Sequence, residues 1–127
     1  MGGCRAFGSF SVDDLGAAKV FYRDTLGLDV VEEMGLLRLR TPGNAAVAIY
    51  PKRAHEPATF TVLNFPVEDV DAAVQDLGRR GVQFETYSGP DVHTDELGIS
   101  RGAPAVAWFR DPAGNILSVV ELDPPEE

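Results

Sequence analysis

Phe10–Ser11–Val12–Asp13–Asp14–Leu15 and, 55 positions later, Phe65–Pro66–Val67–Glu68–Asp69–Val70 are two versions of one pattern. Each ends a short apolar strand pattern in Val, passes through an acidic pair and opens a helical pattern. Upstream of the first, residues 4–12 alternate. Ala6, Gly8, Phe10 and Val12 fall on one face, and Phe7, Ser9 and Ser11 on the other, the period of a strand with one core face. Downstream, Asp14 stands where a helix N-cap is wanted. Leu15, Ala18, Tyr22 and Leu26 then recur at spacings of three and four, with Phe21 alongside, and form one apolar stripe closed by Gly27.

Residues 28–33 and 36–40 read as strands, Thr41–Pro42–Gly43–Asn44 as a turn, and 45–50 as the strand leaving it. Residues 51–58 are polar and proline-bounded, a connector. The second copy repeats the order. Residues 59–67 form a strand, Asp69 a cap, and Val70, Ala73, Val74 and Leu77 a stripe ended by Gly81. Strands at 82–87, 105–110 and 116–122 follow, the last two joined by the tight turn Asp111–Pro112–Ala113–Gly114–Asn115. Pro42–Gly43–Asn44 corresponds to Ala113–Gly114–Asn115. The pattern predicts an α+β protein. A single domain over 1–127 holds two tandem βαβββ modules, about 4–56 and 57–122, forming a curved mixed sheet around a central cavity.

The chain has 127 residues, a common size for one domain. Its net charge of −9 argues against nucleic-acid binding, whose affinity is dominated by cationic side chains on phosphates. No apolar run reaches the ~20 residues of a membrane span, and the N-terminus lacks the apolar core of a signal peptide. Cys4, the one cysteine, cannot form an intrachain disulfide and reads as a small residue of the first strand. The expectation is a cytoplasmic protein.

Val12–Asp13–Asp14–Leu15 … Ala18 … Phe21–Tyr22 … Leu26–Gly27–Leu28 resembles the first module of the vicinal oxygen chelate superfamily, which includes glyoxalase I, extradiol dioxygenases and bleomycin-resistance proteins. Trp108–Phe109–Arg110–Asp111–Pro112–Ala113–Gly114–Asn115 is similar to the hairpin of its second module. In metal-using members a His on each module's first strand and a Glu on each last strand hold a divalent ion that polarises two substrate oxygens. Carried over by spacing, the first-strand positions are Phe7 and Val62. The last-strand positions are Ser118 and Val47, or Ala48 if the repeat slips by one. None of these is a His or a carboxylate, so the resemblance implies the scaffold without its metal, and no cofactor is expected. His93 with Asp91, Asp95 or Glu96 is an alternative ligand set, and a solvated polar loop explains the same residues. The resemblance also implies a homodimer.

Alternation places Phe7, Ser9, Ser11, Val62, Asn64, Ile116, Ser118 and Val120 toward the cavity, with Arg38 and Arg40 at it or its rim and Trp108 or Phe109 lining it. The arginines also read as solvated strand charges, Trp108 as core, and Phe7 with Val62 as filler. The residues selected for ligand binding are Phe7, Ser9, Ser11, Arg38, Arg40, Val62, Asn64, Trp108 and Ser118. The expected function is metal-free binding of an aromatic or amphipathic small molecule. The alternative is a metal-dependent lyase or dioxygenase of the same superfamily. The long polar stretch 88–103 is expected to serve as a lid or an interface arm.

Overall fold

The computed structural model of the chain describes residues 1–42 and 46–122. It forms two compact units, residues 1–57 and 58–127. In the first, β1 (Gly8–Val12) leads to α1 (Leu15–Val20) and a π-helical turn (Phe21–Thr25), followed by β2 (Asp29–Glu33), β3 (Leu36–Arg40) and β4 (Ala46–Pro51). The sheet order is β1-β4-β3-β2, with β1 parallel to β4 and the remaining pairs antiparallel. In the second, β5 (Thr61–Val67) leads to α2 (Val70–Arg79), then β6 (Ile99–Ser100), β7 (Val106–Arg110) and β8 (Ile116–Glu121), in the order β5-β8-β7-β6. Again only the first pair, β5 with β8, is parallel. Each unit thus carries its own four-stranded mixed sheet.

The acidic pairs act alike in both units. Asp14 Oδ1 accepts the Ala17 N–H at 3.0 Å, and Asp69 Oδ1 accepts the Ala72 N–H at 3.1 Å. Each satisfies a helix donor that would otherwise lack an intrahelical acceptor. The apolar stripes then pack on their own sheets. In the first unit Ala18 and Tyr22 are buried with Phe10, Val12, Leu37, Leu39 and Ile49; in the second, Val70 and Val74 with Ala107, Phe109, Leu117 and Val119. Leu37 and Leu39 are buried while Arg38 and Arg40 between and beside them are exposed, as the two-residue period of β3 requires.

Five local readings change. The first helix does not run regularly to Leu26. After Val20 it widens, and the Leu26 N–H reaches the Phe21 carbonyl, five residues back, at 2.9 Å. The wider turn accommodates Tyr22 fully buried, edge-on to Phe21 at 5.2 Å between ring centroids. Cys4 is not in the first strand, which begins at Gly8; it is exposed in a turn with Met1.

The expected strand at 82–87 is replaced by a split edge. Phe84 pairs with Phe109 and Ile99 with Ala107, so two separated pieces of chain flank different halves of β7. Between them residues 88–98 fold back on themselves. The Gly89 N–H meets the Val92 carbonyl, Ser88 pairs with His93, and Thr94 exchanges bonds with Tyr87. Within this excursion Asp95 accepts the N–H groups of Leu97 and Ile99 and the Arg101 Nε–H. The 88–103 stretch is a closed, hydrogen-bonded excursion of the sheet edge.

Two register findings move candidate positions. Pairs Arg38↔Ala48 and Trp108↔Ser118 occupy equivalent places, as do Ser9↔Ala48 and Asn64↔Ser118. The first-unit counterpart of Ser118 is therefore Ala48 and not Val47. Aligning the hairpins on their glycines misplaces the count by one, because Arg40↔Ala46 and Arg110↔Ile116 close connections of equal length while Gly43 stands three residues after Arg40 and Gly114 four after Arg110. Gly43 and Asn44 of that turn lie outside the described residues. In β5 the ladder jumps from Thr61↔Ile116 to Leu63↔Leu117, leaving Val62 as the extra residue of a bulge. Strict alternation fails there, and Thr61 takes the place opposite Ile116.

Candidate functional site

The faces of the two sheets turned away from their helices carry the selected residues. In the first unit a cavity of about 240 Å³ is bounded by Phe7, Glu33, Met34, Leu36, Arg38 and residues 46–48. Its walls are apolar apart from one ion pair, in which Arg38 Nη1 donates to Glu33 Oε1 at 2.6 Å. Phe7 is 67% exposed and Met34 96% exposed, so the apolar wall is open to solvent. Met34 and Gly35 both have positive φ, 52° and 76°, and make the two-residue turn between β2 and β3. Arg40 lies outside this cavity, exposed, with Asp29 Oδ2 at 3.9 Å.

Ser9 is exposed on β1. Ser11, two residues on, is half-buried, with its Oγ 2.6 Å from His55 Nδ1. That contact ties the connector, to which the sequence assigns no role, back onto the first strand. Tyr50, in register with Ser11, is exposed.

In the second unit a cavity of about 250 Å³ is bounded by Thr59, Phe60, Thr61, Tyr87, Val92, Trp108 and Ile116. Trp108 lies along it, while Phe109 is fully buried in the helix-side core. The Trp108 Nε1–H donates to Thr61 Oγ1 at 3.2 Å, and the Tyr87 ring meets the indole edge-to-face at 5.7 Å and 84°. Val62 is not among the lining residues. Asn64 and Ser118 face each other across β5 and β8. The Ser118 hydroxyl donates to Asn64 Oδ1 at 2.5 Å, with Ser118 fully buried and Asn64 exposed.

The structure thus places Phe7 with Arg38, Ser11 with His55, and Asn64 with Ser118, and gives Trp108 a cavity partner in Thr61. Sequence reasoning missed Thr61, Tyr87, Val92, Glu33 and Met34. The bulge hides Thr61 from an alternation count. Tyr87 and Val92 are brought in by the split sheet edge. The Met34–Gly35 dipeptide between two strand patterns was the available signal for the β2–β3 turn.

A divalent ion does not fit this donor set. Phe7, Val62 and Ala48 offer no lone pair. The Ser118 hydroxyl is buried and committed to Asn64. His55 Nδ1 is held by Ser11, and His93 belongs to the folded 88–98 excursion. Among the described residues, no three His, Cys, Asp or Glu side chains cluster as a metal site would require. Charge at the sheet edge is instead paired. Arg101 donates from both terminal nitrogens to Asp71 at 2.8 Å and from Nε to Asp95 at 2.9 Å. The Arg101 hydrogen bonds hold the Asp71 carboxyl below its ordinary range. The Ile99 N–H, and then Arg101, do the same for Asp95.

Residues 8–119 match the family model described as Glyoxalase/Bleomycin resistance protein/Dioxygenase superfamily. No curated protein matches the sequence. Among solved structures, the chain is similar to a member of that superfamily from Sphaerobacter thermophilus, with TM-score 0.69, 25% identity, and 96% of this chain and 100% of that one covered. It is also similar to a lactoylglutathione lyase from Agrobacterium tumefaciens, with TM-score 0.65, 24% identity and 92% of each chain covered. A third similar structure is TnmS3, an antibiotic binding protein from a Streptomyces species, with TM-score 0.65, 22% identity, and 95% of this chain and 98% of that one covered. No helix is long and apolar enough to cross a membrane among the described residues.

Proposed function

Because the chain belongs to the glyoxalase/bleomycin resistance protein/dioxygenase superfamily, we propose that it is a metal-independent small-molecule binding protein for aromatic or amphipathic ligands. Similar structures include a lyase and an antibiotic binding protein, and the residues of this chain favour the second kind of activity. The observation that carries the reading is the set Phe7, Val62, Ala48 and Ser118 at the positions where a metal-using relative would carry His and Glu. Three of the four have no donor atom, and the fourth spends its hydroxyl on Asn64. A lyase or dioxygenase that polarises vicinal oxygens needs a Lewis acid there. What the faces offer instead is apolar and aromatic surface with a few polar handles, the usual make-up of a small-molecule pocket.

In this reading Phe7 supplies apolar contact on the first unit, and Arg38 or Arg40 recognises an anionic group on an amphipathic guest. Trp108 supplies an aromatic wall on the second. Ser9, Ser11, Val62 and Asn64 shape the remaining surface, and the buried Ser118 hydroxyl holds Asn64 from beneath. The reading includes a homodimer in a reducing, cytoplasmic setting, in keeping with the single free Cys4. Calorimetric titration of aromatic compounds and antibiotics into the purified protein tests the binding, and light scattering tests the dimer. Saturable binding that survives a chelator supports the proposal. No binding by any compound, or one tightly held divalent ion per chain, overturns it.

A further inference from the structure

We propose that the Trp108 cavity takes an uncharged, flat, two-ring aromatic compound bearing a carbonyl oxygen, and that the Thr61 hydroxyl donates to that oxygen. This rests on the small-molecule reading above and narrows it to one unit, one cavity and one ligand chemistry.

Three features carry it. The lining contains no ionisable group with a charge at neutral pH: Thr59, Phe60, Thr61, Tyr87, Val92, Trp108 and Ile116. An ionised guest finds no counter-charge on these walls, while an apolar one finds aromatic surface. Second, Trp108 and Tyr87 stand nearly perpendicular, 84° apart, and so form an aromatic corner. A flat guest lying on one ring presents its edge to the other, the two arrangements aromatic pairs prefer. The cavity is open to solvent beside Phe60, which is 67% exposed, and its volume is about 250 Å³. It is of the scale for two fused rings.

The third feature is the direction of one proton. An indole N–H only donates, so Thr61 Oγ1 is the acceptor in its bond with Trp108. A hydroxyl has a single proton, and among the described residues none accepts that of Thr61. The Trp108 bond fixes the oxygen while leaving the proton to donate. The bulge at Val62 makes this arrangement by bringing Thr61 opposite Ile116 and beside the indole. A ketone or similar acceptor on the guest completes the chain Trp108 to Thr61 to ligand.

Trp108 is the sole tryptophan, so its indole N–H gives a single proton resonance that reports this cavity and nothing else. The test titrates the full chain with 1-indanone, with indane (the same rings without the carbonyl) and with indane-2-carboxylate. Indole resonance and heat are followed together. The expected result is that 1-indanone shifts the resonance saturably, that indane binds roughly tenfold more weakly, and that the carboxylate binds more weakly still at this position. Thr61→Val should weaken 1-indanone about tenfold and leave indane unchanged, while Thr61→Ser retains most of the binding. A dispersed spectrum of the same variants verifies folding. Heat without an indole shift places a ligand elsewhere, overturning this assignment while leaving the broader reading intact. Neither heat nor shift from 1-indanone overturns the assignment, and silence from aromatic compounds and antibiotics alike removes the broader reading with it. Equal affinity of Thr61→Val and the native chain for 1-indanone overturns the donor role.

Discussion

Ser118 and Asn64 face each other in register across β8 and β5, and the buried Ser118 hydroxyl donates to the Asn64 amide oxygen at 2.5 Å. The position that spacing assigns to the carboxylate of a metal-using relative is here part of the sheet's internal hydrogen bonding. Ser118→Ala should lower stability by about 1 kcal/mol, read from the urea midpoint, because Asn64 is exposed and its oxygen can return to water. Ligand binding should change little, since Ser118 does not line the Trp108 cavity.

Gly98 tests the packing of the split sheet edge. Its φ is +88°, and a Cβ built there would lie 2.9 Å from both the Phe84 Cβ and the Glu85 carbonyl oxygen. Gly98→Ala should destabilise the chain by at least about 2 kcal/mol, combining left-handed strain with overlap against backbone. Gly78, inside α2 with open space around it, should behave oppositely: Gly78→Ala should stabilise by about 0.5–1 kcal/mol. Thermal or urea melts of the two variants check the contrast.

The β2–β3 turn places Met34 at φ 52° ahead of Gly35. An Asn–Gly turn meets the same geometry at lower cost, so Met34→Asn should raise stability by up to about 1 kcal/mol in a urea titration. The same change removes an apolar wall of the first-unit cavity, so a guest held there should bind more weakly.

Arg101 gives the pH dependence its sign. The folded Asp71 and Asp95 carboxyls are both held below their ordinary range, Asp71 chiefly by the Arg101 side chain and Asp95 chiefly by the Ile99 N–H. Their contribution is therefore complete above the ordinary aspartate value of about 4 and is lost as pH falls through the lower folded values. Arg101→Met should flatten the decline of the urea midpoint as pH falls below the ordinary aspartate value of about 4. All three groups are solvent-accessible, and added salt should reduce the difference between the variant and native chains.

The architecture was legible because several local signals agreed. The repeated Val–acid–acid step marks two real helix caps, and the alternation of Leu37 and Leu39 with Arg38 and Arg40 identifies the buried face of β3. The site was less legible because its positions depend on pairing between distant strands. Counting five back from Val67 reaches Val62, but the ladder to β8 contains a bulge there, and Thr61 enters the cavity instead. Counting four on from Gly43 reaches Val47, yet pairing with Ser9 and Arg38 makes Ala48 the equivalent of Ser118. Tyr87 joins Trp108 only because the chain between Phe84 and Ile99 leaves the sheet edge and closes on itself. None of these events leaves a local mark in composition or period.

We propose that this member of the superfamily binds its guest by shape and polar contacts without a metal. The most direct measurement is a calorimetric titration of bleomycin and a set of small aromatic compounds into protein purified without chelator. It is repeated in excess EDTA and again with equimolar Zn²⁺. At least one saturable ligand is expected whose Kd is the same in all three conditions. Binding that appears only with Zn²⁺, or disappears with EDTA, would contradict it.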